Sequence, residues 1–177
     1  YTNHPQGMEA GLEATHYYDP PNLTFPFGSY ICVMDIDPKT AEMKIRRFVA
    51  IDDCGNIINP MIVTGQIHGG LAMGIAPAMY EELIYDDDGN ILNGTFMDYL
   101  LPTSVETPNW ETGHTITPSP HHPLGAKGVA ESPTVGAPPA VANAVVDALS
   151  HLGVTHVDIP VTPFKVWKIL KEKGVIS

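Results

Sequence analysis

The chain has 177 residues, which is enough for one domain of ordinary size or two small ones. Hydrophobic residues make up 44% of it, so a core can be buried, and the net charge of -11 disfavours a nucleic-acid partner because an acidic surface repels phosphate backbones. The longest apolar run, at residues 71–79, is too short to cross a bilayer, so we expect no membrane span.

The cysteine content and the first residues favour a particular setting for the chain. Cys32 and Cys54 form neither a disulfide framework nor a metal-knuckle spacing, which favours a compartment that is reducing or of no particular redox state, and we expect a cytoplasmic protein. The sequence opens at Tyr1 without an initiator Met or a basic-then-apolar signal segment. We interpret the chain as the tail piece of a larger polypeptide; the alternative is that a tag has been trimmed from its N-terminus.

Strand patterns dominate the first third of the chain. Alternating apolar and polar residues predict strands at 12–18, 29–36 and 43–51. The segment 38–40 between the second and third is typical of a tight turn, so these two strands should form a hairpin. The pattern breaks at 52–56, where the third strand should end.

A glycine-rich helix should follow the strands. Asn59 suits the N-cap and Pro60 the first helical position, and the helix should run to about Ala76, where Pro77 stops it. Four glycines lie inside it, at Gly65, Gly69, Gly70 and Gly74. Each interior glycine costs about 1 kcal/mol against alanine, so close approach of another helix or of a ligand should offset about 4 kcal/mol.

The acidic segment 86–90 resembles the first half of a calcium-binding loop. Such a loop needs Gly at its sixth position and Glu at its twelfth, and here those positions hold Ile91 and Met97. The calcium interpretation therefore fails, and the segment predicts a hairpin turn with Asp-Gly chemistry.

The second half of the chain mixes both kinds of element. We expect a short strand at 114–117, a helix after Pro138-Pro139, a strand at 157–161, and a last helix that starts at Thr162 and stops at Gly174. Because strands and helices do not alternate regularly, the pattern indicates an α+β fold.

We divide the chain into two parts. A strand-rich part at about 9–120 contains the glycine-rich helix 60–76, and a second part at 121–177 contains a loop with one carboxylate and the C-terminal helices.

Candidate chemistry concentrates in the small-residue loop 125–133. Its carboxylate, Glu131, lies between Val129 and Pro133, where apolar surroundings would disfavour the ionised form and suit a general base. The alternative is that Glu131 only caps the following helix. Lys127 is a candidate phosphate or cofactor contact, or a solvated loop lysine.

The glycine-rich helix carries a polar pair, Gln66 and His68, which either contacts a ligand along the helix or forms an exposed face. Neighbouring histidines His121 and His122 lack a Cys, Asp or Glu spaced to complete a metal site, so we expect no metal ligand in this chain.

Three motifs, read in order, resemble a known family. They are 52–60 (DDCGNIINP), 65–70 (GQIHGG) and 125–133 (GAKGVAESP), and 96–99 (FMDY) together with 119–123 (SPHHP) points the same way. The combination is similar to the C-terminal part of the large subunit of xanthine-oxidase-family molybdenum hydroxylases. Within the family it is most similar to the aerobic carbon monoxide dehydrogenases.

The resemblance implies roles for individual residues. Glu131 matches the active-site glutamate that acts as a base beside the molybdenum, and Gln66 matches a glutamine that contacts the pterin dinucleotide. The backbone of Lys127, Gly128, Val129 and Ala130 matches a segment that lines the cofactor.

The implied cofactor is molybdopterin cytosine dinucleotide with molybdenum, and the implied partners are the remainder of the large subunit, iron–sulfur and flavin subunits, and a small-molecule substrate. That substrate is carbon monoxide, an aldehyde or an N-heterocycle.

One position departs from the family pattern, and much of the subunit is missing. The family usually has Gly directly before the glutamate, so Ala130 would be strained by about 1 kcal/mol if that position needs a positive φ. Family large subunits are several times longer, so we expect the 177 residues alone to bind no molybdenum. The alternative function is a non-catalytic α+β binding or assembly domain, in which the glycines serve packing.

Overall fold

The computed structural model describes residues 5–8 and 11–176. Within these residues the fold has three strands and three α-helices, with a 3-10 turn after the second helix. In chain order they are β1 (Phe27–Ile36), β2 (Met43–Asp53), α1 (Pro60–Met79), β3 (Trp110–His114), α2 (Glu131–Leu149), the 3-10 turn (Ser150–Leu152) and α3 (Pro163–Glu172). The α+β prediction is confirmed.

The three strands form one sheet with β2 in the centre. β1 and β2 pair antiparallel as the predicted hairpin, from Phe27 opposite Asp53 to Ile36 opposite Met43. β3 joins the other side of β2 in parallel, with Trp110 beside Phe48. The central strand thus ends at Asp52 and Asp53, both buried, at one end of the sheet.

Three predicted strands are corrected. Residues 12–18 form no strand and are exposed, because they have no neighbouring strand with which to pair. The predicted strand 114–117 is instead β3, which ends at His114, since Thr115 and Thr117 turn their hydrogen bonds to the carboxylate of Asp53. Residues 157–161 form no strand, because Pro160 has no N–H for a ladder.

Helix α1 begins as predicted but ends later. The side chain of Asn59 accepts hydrogen bonds from the amides of Met61 and Ile62, and Pro60 is the first helical residue. The helix continues through Pro77 to Met79. A proline in the last turn removes only one hydrogen bond of the helix, which this long helix tolerates.

Helix α2 begins before its two prolines rather than after them. It starts at Glu131 and contains Pro138 and Pro139. Its buried residues recur at every fourth position over most of its length, which keeps the whole segment on the core despite the lost hydrogen bonds. These residues are Pro133, Ala137, Val141, Val145 and Leu149.

The acidic segment forms the predicted turn. The amides of Asp88 and Asn90 donate to the side chain of Asp86, and Tyr85 pairs with Ile91 across the turn.

Helix α2 packs between α1 and the face of β1, and the core lies at these contacts. Gly70 and Gly74 of α1 allow the close approach, because a β-carbon at Gly74 would lie 2.7 Å from the β-carbon of Ala137. Helix α3 adds Val166 and Leu170 to the core. No helix in the described part of the chain is long and apolar enough to cross a membrane.

Candidate functional site

Two loops cross at the end of the sheet and fix the segment that leads to α2. The amide of Asn56 donates to the carbonyl of Gly125 (3.0 Å), and the amide of Lys127 donates to the carbonyl of Cys54 (2.8 Å). Gly55 has φ +68°, and a β-carbon there would collide with the carbonyl oxygen of Gly125. The motif after β2 therefore holds the motif before α2.

Below this crossing lies a buried ion pair. The ammonium of Lys127 is 2.8 Å from Oδ1 of Asp53, and the two side chains are 7% and 1% exposed. Asp53 also accepts hydrogen bonds from the amide of Gly55 and from the hydroxyls of Thr115 and Thr117. Burial alone would raise the pKa of Asp53, but the hydrogen bonds from Lys127, Gly55 and the threonines hold it well below its usual range.

This ion pair changes the interpretation of Lys127. Its side chain is neither a solvated loop lysine nor free to bind a phosphate, because the charge is already paired with Asp53 and the ammonium lies over the ring of Phe27. The part of the prediction that concerns its backbone is unaffected and stays a prediction.

A second carboxylate forms a hydrogen-bonded cluster with two hydroxyls. Tyr30 and Ser132 both donate to Oδ1 of Asp52, which is 2% exposed; the Ser132 distance is 2.9 Å, and the two hydroxyl oxygens are 2.7 Å apart. Burial, with the nearby Asp52 carboxylate, raises the pKa of Tyr30 well above its usual range, so the phenol stays protonated. We call these three residues the Asp52 cluster.

Glycines make room for the Asp52 cluster on two sides. A β-carbon at Gly28 would lie 2.5 Å from the Tyr30 hydroxyl and 2.9 Å from Oδ1 of Asp52. One at Gly136 would collide with the Tyr30 ring. No sequence motif marks this cluster. The signal for it is the pair of adjacent carboxylates at the end of a central strand, because at least one of them must face the interior.

Glu131 is the first residue of α2 and lines an open cleft of about 400 Å³. The cleft is also lined by Tyr30 and Ser132 of the Asp52 cluster and by Gly28. The Glu131 side chain is exposed, so the apolar enclosure expected from its neighbours in the sequence is not present. Its side chain does not serve as the N-cap of α2, because that position belongs to Ala130.

Ala130 is not strained, contrary to the expectation for a position that usually holds glycine. Its φ of -69° and ψ of -36° are ordinary right-handed helical values that any residue adopts.

The four glycines of α1 divide into two pairs. Gly70 and Gly74 meet α2, and a β-carbon at Gly70 would lie 2.9 Å from the carbonyl oxygen of Ala130. A β-carbon at Gly65 or Gly69 would meet nothing within 4 Å, and Gln66 between them is exposed. Packing within the described residues thus accounts for one pair, and the other forms an open strip on α1 that we call the glycine face.

The structure brings the candidate residues to one end of the molecule but not into one cleft. Glu131 lines the cleft described above, whereas Lys127 and Val129 line a neighbouring cleft of about 250 Å³ against the start of α1. Gln66 lies on the glycine face, outside both clefts. Gly70 links them, because it contacts the carbonyl that directly precedes Glu131.

Both histidines of the pair at 121–122 contact Tyr18. Tyr18 donates to the carbonyl of His121 and stacks edge-on against the ring of His122. Among residues 5–8 and 11–176, no group of three His, Cys, Asp or Glu side chains could hold a metal ion.

Comparison with known proteins identifies the family. The profile of the molybdopterin cofactor-binding domain matches residues 2–108. The carbon monoxide dehydrogenase large chain of Hydrogenophaga pseudoflava is 64% identical over 175 residues, which are 99% of this chain and 22% of that protein. The chain therefore spans about a fifth of the length of such relatives.

Solved structures agree with the sequence comparison. A Cu,Mo-CO dehydrogenase in its carbon monoxide reduced state matches with a TM-score of 0.92 and 55% identity over 99% of this chain and 22% of that one. Quinoline 2-oxidoreductase from Pseudomonas putida 86 matches with a TM-score of 0.88 and 45% identity over 96% of this chain and 22% of that one. The chain belongs to the molybdopterin cofactor-binding domain family and corresponds to a segment of the large subunit of xanthine-oxidase-family molybdenum oxidoreductases.

Proposed function

We propose that this chain forms part of the wall of a molybdenum-cofactor site in an oxidoreductase large subunit, with the carboxylate of Glu131 as the active-site base. The reaction is of the carbon monoxide dehydrogenase type; hydroxylation of an aldehyde or an N-heterocycle is the other reaction class that the relatives' chemistry suggests. The observation that carries the proposal is the placement of Glu131 at the head of α2, in a cleft, directly beside the contact between Ala130 and Gly70.

The glycine face supports the presence of a bulky group. Gly65 and Gly69 cost helix stability, about 1 kcal/mol each, and no described residue occupies the space beside them. A large flat ligand that lies against the main chain of α1 would use that space, and Gln66 offers an amide donor and acceptor there.

Free amides before and in the first turn of α2 support an anionic ligand. Among the described residues, the amides of Gly128, Val129 and Ala130 donate to no backbone carbonyl. The first amides of α2 follow directly, and such amides favour negative charge at a helix start. Because Lys127 is paired with Asp53, we expect these amides, rather than the lysine, to contact the cofactor.

Each component then has a separate chemical task. When bound, molybdopterin cytosine dinucleotide with molybdenum would supply the two-electron redox chemistry. The chain supplies shape through the glycine face, hydrogen-bond donors through residues 128–130, and a proton acceptor at the carboxylate oxygens of Glu131. Glu131 is exposed here, so the remainder of the large subunit must close the cleft and exclude water.

The proposed partners follow from the same arrangement. We expect iron–sulfur and flavin subunits to carry the electrons away, as the multi-subunit relatives suggest, and a small molecule as substrate. Cys32 and Cys54 are both free thiols, which is compatible with the cytoplasmic location that we propose.

The direct test is Glu131→Gln in the complete enzyme that contains this chain. Gln keeps the shape and removes the proton acceptor, so turnover of carbon monoxide should fall about 10²–10⁴-fold while molybdenum content stays within about 20% of wild type. Steady-state kinetics and metal analysis measure the two quantities.

The matched control is Glu172→Gln, a carboxylate of the same type at the end of α3. It should leave turnover unchanged. Wild-type turnover in the Glu131→Gln enzyme would rule out the base role, and assays with aldehydes and N-heterocycles on the wild-type enzyme decide the substrate class.

A further inference from the structure

The first turns of α2 are weakly held by the helix itself. The first four amides of any α-helix have no partner within it, and Pro138 and Pro139 have no amide at all. Among the first nine residues of α2, only Val135, Gly136 and Ala137 can therefore donate a helical hydrogen bond. The N-cap residue Ala130 has no side-chain acceptor either.

The Asp52 cluster supplies the missing anchor. Ser132, in the first turn of α2, and Tyr30, on β1, each donate to Asp52 on the central strand β2, and their hydroxyl oxygens are 2.7 Å apart. The ring of Tyr30 also packs across Gly136 one turn later. The residue directly before Ser132 is Glu131, so whatever fixes Ser132 also fixes the backbone that carries the base.

The cluster also controls where two hydroxyl protons point. Tyr30 and Ser132 both line the cleft that Glu131 lines. Both hydroxyls turn to Oδ1 of Asp52, whereas its Oδ2 is buried and has no hydrogen-bond partner among the described residues. Loss of either hydroxyl would leave the buried Asp52 carboxylate with even fewer hydrogen bonds, which costs free energy. We therefore expect both hydroxyls to remain bonded to Asp52.

We infer that Asp52, Tyr30 and Ser132 are positioning residues for Glu131: they anchor the head of α2 and direct two cleft hydroxyls away from the Glu131 carboxylate, which stays free to accept a proton. The inference rests on the proposed function of Glu131. It predicts a loss in the chemical step and not in substrate or cofactor binding.

The experiment uses Tyr30→Phe and Ser132→Ala, singly and together, in the complete enzyme. Each single variant should lower kcat about 10-fold, because small misplacements of a catalytic group reduce rates by one to two orders of magnitude, while KM and molybdenum content stay within about 2-fold. The two hydroxyls act through one carboxylate, so the double variant should fall about 10–20-fold rather than the 100-fold of independent residues.

Two further variants separate positioning from general structure. Tyr99→Phe removes another tyrosine–carboxylate hydrogen bond, to Glu81 at 2.9 Å, and should leave kcat unchanged. Ser132→Thr keeps the hydroxyl and should recover most of the kcat that Ser132→Ala loses.

Each remaining outcome overturns a defined statement. Wild-type kcat in Tyr30→Phe and Ser132→Ala, with turnover lost in Glu131→Gln, would overturn the inference and leave the proposed function standing. Loss of molybdenum together with kcat would show that the cluster serves cofactor retention, which also overturns the inference. Full turnover in Glu131→Gln would remove the proposed function itself.

Discussion

At the scale of single residues, the two carboxylates that end β2 have different tasks. Asp53 stabilises the crossed loops through its ion pair with Lys127 and its hydrogen bonds from Gly55 and two threonines. Asp52 accepts two hydroxyls on one oxygen and, from the part of the chain that the structure describes, no hydrogen bond on the other. Adjacent residues on a strand point to opposite faces, which allows one to serve the loop crossing and the other the cleft.

The ion pair of Asp53 makes stability depend on acid pH. The folded-state pKa of Asp53 lies well below its unfolded value of about 4, so its contribution is present above about pH 4 and is lost as pH falls further, through the folded pKa. Lys127→Met leaves the carboxylate buried without its cation, so it should destabilise the fold by about 3–5 kcal/mol at pH 7 and flatten the acid dependence. Denaturant unfolding of the complete subunit at pH 7 and pH 3 measures both effects.

Lys171→Met is the control for this measurement, because Lys171 is exposed over the Trp167 ring and pairs with no carboxylate among the described residues. It should change stability by less than about 1 kcal/mol at either pH. An unchanged acid dependence in Lys127→Met would contradict the assignment to Asp53.

At the scale of elements, the glycines of α1 separate two kinds of contact that the sequence presents as one motif. Composition predicted that something approaches the helix closely, and the structure shows that α2 does so at Gly70 and Gly74. Composition alone cannot separate the four glycines into two pairs, because the separation depends on where α2 crosses α1. The sequence also predicts a start of α2 that is later than the observed one. The late predicted start follows from Pro138 and Pro139, because proline in a helix interior removes a hydrogen bond and normally ends or kinks the helix.

The division of the glycines predicts opposite effects of one substitution. Gly74→Ala should destabilise the α1–α2 contact by about 1–3 kcal/mol, since the new β-carbon would lie 2.7 Å from that of Ala137. Gly65→Ala should stabilise α1 by up to about 1 kcal/mol in the absence of cofactor, because the site is open and alanine favours a helix. Hydrogen exchange of the α1 amides in the cofactor-free subunit measures both.

The expected stabilisation by Gly65→Ala depends on open space beside Gly65. If Gly65→Ala lowers protection in the cofactor-free subunit, another segment of the protein, and not the cofactor, already fills the space beside the glycine face.

Across the molecule, contacts between segments that are distant in sequence decide what the sequence alone can predict. The motifs at 52–60 and 125–133 point to one family, but their spacing in sequence does not predict that they touch, as they do where Gly55 crosses Gly125. Only part of the Asp52 cluster could be predicted: the adjacent carboxylates that end β2 indicate a buried acid, but its partners on β1 and α2 have no regular spacing in the sequence. The enclosure of Glu131 could not be judged either, since it requires surfaces outside these 177 residues.

The span of about a fifth of the relatives leads to a prediction for the isolated chain. Expressed alone, the 177 residues should contain less than about 0.1 molybdenum per chain, whereas the complete subunit should approach one, because one wall of a cleft does not enclose a cofactor. Metal analysis of both proteins after identical expression is the measurement. Stoichiometric metal in the isolated chain would contradict the fragment interpretation.

The sheet has a further consequence for any such preparation. Within the described residues it ends at β1 on one side and at β3 on the other, so both margins present unused amide and carbonyl groups. Exposed edge strands of this kind can pair with a strand of another polypeptide. In the assembled subunit we expect neighbouring segments to cover these edges, whereas in a concentrated solution of the lone chain the exposed edges should promote intermolecular β-aggregation.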